Sequence, residues 1–285
     1  MRDQTVKYIN HAGDQFILQG DGKAFFNIAQ LYQYEWNYQT VNSVSGVGGD
    51  VLAFAHDPLA LDLELRLRGF SRQGFIDKIN TLHSIAEADT LAETPGTLYV
   101  GNQYTKCYLS VAGSVPSMAR NGNFATEIIR ILFTRPFWCT EKTYQFNIVS
   151  QEEEDHTGKK YNLRNPYRYG SGLAISNLIN THYSECPAII TIYGPTSNPS
   201  LQIAGNTYNV DVVVTGTERL VIDQTTREIY TINLNGARTN VFNKRNKEHD
   251  IFKQVPVGDS TVLYSGDFLM TITLVEQRSQ LKWTE

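Results

Sequence analysis

Five leucines alternate with mostly charged residues from Leu59 to Arg68, and this run constrains the fold more than any other part of the sequence. Successive side chains of a β-strand point to opposite faces, so a period of two places all five leucines on one face. A helix would scatter the same leucines around its circumference. The run therefore predicts a strand that is buried on one face, and it places a β-sheet in the amino-terminal half of the chain.

The segment after this strand has a helical period. Its apolar residues recur at spacings of four, three and four residues, namely Phe75, Ile79, Leu82 and Ala86. These spacings draw one apolar stripe along a helix, and Ser71 is a suitable residue to cap its amino terminus. We expect a helix from about residue 71 to residue 88, which ends before the Pro95-Gly96 pair. It is the only long helix that the sequence predicts.

Short runs rich in Tyr, Ile, Val and Thr predict strands over most of the remaining chain. These runs cover residues 97–100, 105–111, 127–133, 188–193, 201–203, 208–214, 219–223, 228–234 and 268–275. No helical period separates the strands of the second half, which argues against parallel βαβ folds. We expect a mainly β protein with two antiparallel β-sandwich-type domains, the first of which carries the one α-helix.

Residues 151–160 form the sharpest change of composition in the chain, with four consecutive acidic residues at positions 152–155. Such a run has little to bury and predicts an exposed loop at or just after a domain boundary. We place the boundary near residue 145, which gives domains of residues 1–145 and 146–285. The run lacks the interspersed turn residues of a calcium loop, so we expect a solvated loop there and no metal site.

The chain carries 25 Lys and Arg against 29 Asp and Glu, and its formal net charge is −4. This balance provides no cationic field to hold a phosphate backbone, so we expect no specific binding of nucleic acid. No window approaches the roughly 18 apolar residues of a membrane span, and the amino terminus has no apolar run typical of a secretory signal. We expect a soluble protein without membrane insertion or a cleaved signal.

The sequence offers few residues for catalysis or for cofactor binding. Cys107, Cys139 and Cys186 have neither metal-site spacing nor a disulfide framework, and we expect buried thiols. No histidine lies in a recognised catalytic or metal motif, and a nucleophile elbow is absent. We therefore predict no catalytic residue, no metal and no cofactor. A glycoside hydrolase is the weakest alternative, and it would draw on the carboxylates of Asp211, Glu218, Asp223 and Glu228.

Two segments are candidates for a subunit or partner interface. Aromatic and polar residues alternate over residues 32–38, which predicts a strand whose aromatic face includes Trp36 and Tyr38. The glycine-bearing residues 40–50 follow and contain Val41, Val44 and Val47; they predict either a long hairpin tip that reaches a neighbour or a mobile loop.

The second candidate segment is rich in Tyr and Arg, a composition typical of protein interfaces. Its members are Tyr161, Arg164, Tyr167, Arg168 and Tyr169. Packing of these rings in a sandwich core is an equally good interpretation. Exposed aromatic residues also stack against sugars, so a carbohydrate-binding, lectin-like sandwich is the alternative function.

The order of these features resembles the distal tail protein family of long-tailed, non-contractile bacteriophages (siphophages). The resemblance involves the strand end at residues 130–138, the Tyr169-Gly170 pair that leads into residues 173–180, the strand at residues 187–194, and residues 219–223 followed by 227–230. It extends over nearly the whole chain and consists of patterns of apolar residues, Pro and Gly. No catalytic signature contributes to it.

The resemblance implies a structural role in the virion of a phage or prophage. It implies a homohexameric ring, the hub of the baseplate at the tail tip, with amino-terminal domains around a channel and galectin-like carboxy-terminal sandwiches outside. An extended belt arm would complete the ring, and by position we assign it to residues 38–57. The implied partners are the tail tube protein, the tail-associated protein and receptor-binding components, while DNA passes without specific binding. Such a protein is made in the host bacterial cytoplasm and is not an enzyme.

Overall fold

The computed structural model describes residues 5–20, 24–26, 28–32, 36–69, 71–115, 124–148 and 174–283. The described chain is mainly β and antiparallel, and it contains one α-helix. This architecture confirms the fold class that the sequence predicts. Contacts divide the chain into two compact units, with unit 1 formed by Met1–Thr140 and Gln277–Glu285 and unit 2 by Glu141–Glu276.

The carboxyl-terminal residues belong to unit 1 because specific contacts hold them there. Leu281 is buried in the core of unit 1. The Gln103 side chain donates from Nε2 to the Lys282 carbonyl oxygen at 3.0 Å and accepts from the Lys282 backbone N–H at 2.7 Å. The sequence contains no local signal for this return of the chain. The expected second domain of residues 146–285 therefore includes these carboxyl-terminal residues.

Unit 1 contains the first ten strands and the helix. The strands are β1 (Val6–Ile9), β2 (Gln15–Gln19), β3 (Ala24–Phe26), β4 (Asn37–Asn42), β5 (Gly49–Ala55), β6 (Leu59–Arg68), β7 (Gly96–Val100), β8 (Gln103–Val115), β9 (Phe124–Phe133) and β10 (Trp138–Phe146), whose last residues enter unit 2. The helix is α1 (Arg72–Leu91), and a 3₁₀ helix covers Ile28–Tyr32.

Two antiparallel strand groups that share β8 build unit 1. One runs in the order β2-β1-β7-β8 and the other in the order β8-β9-β6-β3. Strand β6 pairs with β9 along its full length, from Leu59 opposite Phe133 to Arg68 opposite Phe124. Leu63, Leu65 and Leu67 are fully buried in the core, so the alternation of leucines produces the one-sided strand that it predicts.

Helix α1 begins where the sequence places it and ends later. Ser71 is the N-cap, and its hydroxyl oxygen accepts a hydrogen bond from the Gly74 backbone N–H at 3.1 Å. The helix continues to Leu91, beyond the expected end near residue 88. The apolar stripe ends at Ala86, but the buried Asp89 holds one further turn against the strands.

The Asp89 carboxylate is the polar centre of the unit 1 core, with 0% of its surface exposed. Its Oδ2 accepts a 2.5 Å hydrogen bond from the Tyr8 hydroxyl. Its Oδ1 accepts from the His11 backbone N–H at 2.8 Å and lies 2.6 Å from His11 Nδ1. Burial and the bond to Asp89 raise the pKa of Tyr8, so its hydroxyl stays a donor.

The neighbouring Gly96 has no room for a side chain. A Cβ at this position would lie 2.4 Å from the Tyr8 hydroxyl oxygen and 2.5 Å from Asp89 Oδ2. The residue is therefore glycine because the carboxylate and the phenol meet against its backbone. Helix α1, β1 and β7 are joined at this one point.

Unit 2 contains the remaining strands. They are β11 (Ala174–Asn180), β12 (Ala188–Tyr193), β13 (Thr196–Ser197), β14 (Ser200–Ile203), β15 (Asn206–Asn209), β16 (Val213–Val214), β17 (Glu218–Asp223), β18 (Glu228–Asn233), β19 (Arg238–Asn240), β20 (Gly258–Tyr264) and β21 (Leu269–Arg278), with a 3₁₀ helix at Phe242–Lys244. The end of β21 belongs to unit 1.

Two antiparallel sheets enclose the unit 2 core. One contains β21-β12-β17-β18-β19 with the end of β10 beside β21, and the other contains β11-β20-β14-β15. Alternate residues of facing strands fill one apolar cluster, for example Ile190 and Ile272 from the first sheet and Val262 and Leu201 from the second. This is the arrangement of an antiparallel sandwich.

One expected strand of unit 2 is wrong as a continuous element. Residues 208–214 were predicted as a single strand, but the structure divides them between β15 and β16. Strand β15 pairs with β14, whereas β16 pairs with β13, so the chain changes partners between them. The buried Val210 and Val212 fill the core on both sides of this change, which explains the continuous apolar pattern.

Replacing Asp89 by Asn should destabilise unit 1 by about 2 kcal/mol, because the neutral amide loses the charge-assisted hydrogen bonds of the carboxylate and accepts through only one of its two terminal atoms. Chemical denaturation followed by fluorescence measures this change. Asp77→Asn is the matched control on the same helix, since the Asp77 side chain is exposed and its Oδ1 accepts from Gln73 Nε2 at 2.8 Å. We expect a loss of about 0.5 kcal/mol or less for the control. Equal losses in both variants would contradict the role of Asp89.

Candidate subunit interface

Strands β4 and β5 form a hairpin that contributes to neither core. They pair with each other from Asn37 opposite Ala55 to Asn42 opposite Gly49. Every residue of both strands is exposed, and no other strand in the described ranges pairs with them. The segment thus forms a hairpin. Its strands reach Asn42 and Gly49, so the tip is shorter than the predicted residues 40–50.

The tip of the hairpin is a defined turn. The Ser43 N–H donates to the Gly48 carbonyl and the Gly46 N–H donates to the Ser43 carbonyl, both at 3.0 Å. Gly46 and Gly48 have φ angles of +72° and +74°, which glycine adopts without a steric penalty. Val44 and Val47 are fully exposed at this tip.

Large apolar side chains gather on one face of the hairpin. Tyr38 lies directly opposite Phe54, and a bulge between Gln39 and Thr40 makes Val51 the partner of Thr40. Alternate residues share a face, so Tyr38, Val51 and Phe54 form one apolar surface. Trp36 extends it, with its ring centroid 6.3 Å from that of Phe54. We call these four residues the aromatic face; Val41 lies on the opposite side.

The root of the hairpin is attached to unit 1 by a cluster of three tilted aromatic rings. The His56 ring lies between those of Trp36 and Phe137, with both pairs of centroids 4.6 Å apart. Asn37 Nδ2 also donates to Asp57 Oδ2 across the root. Burial lowers the pKa of His56, and the nearby Asp57 carboxylate opposes this shift only in part.

An isolated two-stranded hairpin is only marginally stable in water. Tyr38 is 66% exposed and Phe54 is 64% exposed, so the aromatic face leaves substantial apolar surface in contact with water. Contiguous apolar surface of this kind is typical of interaction sites. The hairpin therefore has the physical character of a segment that packs against a partner.

The structure places the first group of predicted interface residues close together, while the second group lies outside the described residues. Trp36, Tyr38, Val41, Val44 and Val47 all lie on the hairpin or at its root. The other candidates lie outside the described residues, as does the acidic run at residues 151–160; they are Tyr161, Arg164, Tyr167, Arg168 and Tyr169.

One part of the prediction for residues 32–38 is wrong. Tyr32 ends a 3₁₀ helix and its ring lies 4.9 Å from that of Trp283, so it does not belong to the aromatic strand. Sequence reasoning also did not single out Val51, Leu52 and Phe54. The bulge interrupts their alternation, and their apolar character is the signal that could have identified them.

Two of the four carboxylates considered for a glycoside hydrolase are held in turns by hydrogen bonds. Asp223 Oδ1 accepts from the Thr225 N–H and hydroxyl at 2.8 and 2.6 Å, and Glu218 Oε2 accepts from the Thr215 hydroxyl at 2.9 Å. Both carboxylates therefore stabilise turns. Four grooves in the described residues are lined by none of Asp211, Glu218, Asp223 or Glu228.

Nucleophilic and metal chemistry have little support in the described ranges. Burial raises the pKa of the Cys107 thiol and raises that of Cys186 to about 11, so neither forms a thiolate readily near neutral pH. The described residues contain no cluster of three or more His, Cys, Asp or Glu side chains that could hold a metal ion. Among the described helices, none has the length and apolar character that crossing a membrane requires.

Solved structures share the fold of this chain over nearly its full length. The Dit protein (gp 19.1) of phage SPP1, described as a paradigm of the hub adsorption apparatus in phages that infect Gram-positive bacteria, aligns with a TM-score of 0.57 and 13% identity over 96% of this chain and 99% of that chain. A chain of the phage P2 baseplate in its activated conformation with Ca aligns with a TM-score of 0.60 and 14% identity over 99% and 100%.

The same phage P2 baseplate with Sr gives a TM-score of 0.59 and 14% identity over 98% of this chain and 99% of that chain. No family model and no curated protein sequence matches this chain. At these identities the similarity is one of fold. It confirms, at that level, the resemblance to phage tail-tip proteins that the sequence indicates.

Lowering the pH from about 7.5 to about 5.5 should loosen the root of the hairpin. The folded root keeps the pKa of His56 below its ordinary value of 6.5, so His56 binds a proton less readily in the folded root than in the detached root. The root therefore loses stability as the pH falls through 6.5. We expect faster hydrogen exchange of the β4 and β5 amides, after correction for the intrinsic effect of pH. His56→Phe keeps a ring without titration, and its corrected exchange should not change. Equal acceleration in both proteins would contradict the prediction.

Proposed function

We propose that this chain is a structural distal tail protein of a long-tailed phage or prophage, and that six copies form the hub at the tail tip. The observation that carries this proposal is the agreement of fold over 96% of this chain and 99% of the phage SPP1 protein described as a hub. The similar agreement with phage P2 baseplate chains supports it. The location in this proposal is the virion tail tip, after synthesis in the host bacterial cytoplasm.

The hairpin is the ring-closing arm in this proposal. A cyclic ring needs a heterologous contact, in which one surface of each copy packs against a different surface of the next. The aromatic face provides Trp36 and Tyr38, which belong to the residue types that dominate interface energies. Residues 38–57 would act as the belt arm, and the aromatic face would be buried against the neighbouring copy.

The two units have different roles in this proposal. Unit 1 would form the ring, and unit 2 would be a galectin-like sandwich; the partners would be the tail tube protein, the tail-associated protein and receptor-binding components. The formal net charge of −4 is compatible with passage of DNA without specific binding. The role is not enzymatic, which agrees with carboxylates that stabilise turns.

The lectin-like alternative has less support from the described residues. Sugar-binding sites commonly present an exposed aromatic ring beside a groove. The groove in unit 2 that lies between residues 196–202 and 263–268 is lined by the aromatic residues Tyr264 and Phe268. Both side chains are buried in the core, so neither offers a free face for stacking.

The assembly state of the purified full chain tests the proposal. Light scattering behind size-exclusion chromatography should give about six times the 32.2 kDa mass of the chain. A double variant, Tyr38→Ser with Phe54→Ser, should shift the protein towards the monomer, because it removes apolar area that the neighbour would bury. Its circular dichroism should not change, since both side chains are exposed and outside the cores.

Leu234→Ser is the matched control, because Leu234 is also an exposed large apolar residue but lies in unit 2. This variant should keep the mass of the wild-type protein. A wild-type protein that stays monomeric at high concentration would overturn the proposal. If the double variant still assembles, the hairpin does not form the ring contact.

A further inference from the structure

A cationic groove lies in unit 2, apart from the hairpin. It has a volume of about 430 Å³ and is open to solvent. Arg227, Arg245, Lys247 and His249 contribute to its lining, and Asp250 is the only carboxylate among the lining residues. With His249 neutral, three cations and one carboxylate give the groove a net charge of +2, in a chain whose net charge is −4.

The cations of the groove are not used in ion pairs. Within the described residues, Arg227, Arg245 and Lys247 form no salt bridge with a carboxylate. Arg245 is positioned by the protein itself: its guanidinium carbon lies 3.9 Å from the centroid of the Phe242 ring, and Nη1 donates to the Phe242 carbonyl at 2.9 Å. Its remaining donors stay available to a ligand.

Arg227 occupies a backbone position that disfavours its side chain. It is the last residue of the turn between β17 and β18, and its φ angle is +58°. This left-handed conformation suits Gly or Asn and is strained for other residues. An arginine at this position is therefore unfavourable for the turn, and its side chain lines the groove.

Backbone hydrogen bonds hold the opposite wall of the groove. The Asp211 N–H donates to the Lys244 carbonyl at 2.8 Å, and the Asn246 N–H donates to the Asn209 carbonyl at 3.1 Å. Ile251 is buried in the core. These contacts fix the loop that carries Arg245, Lys247 and His249, so a ligand would meet preorganised donors.

We propose that this groove binds a phosphate group, either as the free anion or as a phosphate monoester. A phosphate monoester carries a charge of about −1.5 to −2 near neutral pH, which is close in magnitude to the net charge of the groove. A ligand with one carboxylate would neutralise only half of that charge. Arginine forks and a lysine ammonium are suitable donors for phosphate oxygens. The site lies in unit 2 and does not depend on assembly of a ring.

Isothermal titration of the full chain at low salt tests the proposal with four probes: inorganic phosphate, glycerol 1-phosphate, glycerol and a tetraglutamate peptide. We expect both phosphate compounds to bind and glycerol not to bind. Added NaCl should weaken the binding, because the groove is open to solvent. Equal affinity for the two phosphates would identify the free anion as a sufficient ligand, and tighter binding of glycerol 1-phosphate would identify a monoester.

Arg227→Gly is the most informative variant, because it removes a cation and relieves the strained φ angle at the same time. Its thermal midpoint should equal or exceed that of the wild-type protein, while its phosphate affinity should fall about fivefold. Lys247→Gln should weaken binding to a similar extent. Lys244→Gln is the matched control, since Lys244 is exposed on the same loop but does not line the groove.

The proposal fails if neither phosphate compound binds, or if Arg227→Gly binds phosphate as tightly as the wild-type protein. It also fails if tetraglutamate binds and the phosphates do not, since that result would assign the groove to an acidic peptide. Loss of affinity in the Lys244→Gln control would show a diffuse charge effect and would equally overturn the site.

Discussion

A hairpin of two strands has no second layer against which to bury its side chains. This constraint leaves large apolar side chains on the surface of the molecule. Elsewhere the strands of both units bury alternate residues in closed apolar clusters. Strands β4 and β5 also carry large apolar side chains, but they contribute to neither core. Tyr38, Val51 and Phe54 therefore remain exposed. The free energy of burying this face is available only to a contact with another surface. This imbalance is the physical basis of the proposed assembly through the hairpin.

A buried polar contact fixes the packing of helix α1 in unit 1, the unit that carries the hairpin. Asp89 joins α1 to β1 through Tyr8 and to the following turn through His11. A buried carboxylate is tolerated because each oxygen has a donor, and the absence of a side chain at Gly96 leaves it the required space. Such a contact fixes the position of the helix more precisely than apolar packing alone. The cluster of aromatic rings at His56 then connects the hairpin to unit 1.

The sequence predicted those features whose signal is local. The leucine alternation of β6 and the cap at Ser71 are of this kind, and the structure contains both. Features that depend on distant parts of the chain were missed. Strand β20 was not recognised because a polar residue, Ser260, occupies the buried position between Asp259 and Thr261. The return of residues 277–285 to unit 1 has no local signal. The cationic groove unites Arg227 with Arg245, which only the topology brings together.

The most direct test of the account is cryo-electron microscopy of the purified full chain. We expect closed rings of six copies in which density of a neighbouring copy covers Trp36, Tyr38 and Phe54 of each hairpin. Isolated particles whose hairpins remain uncovered, or rings closed through other surfaces, would contradict ring closure by the hairpin.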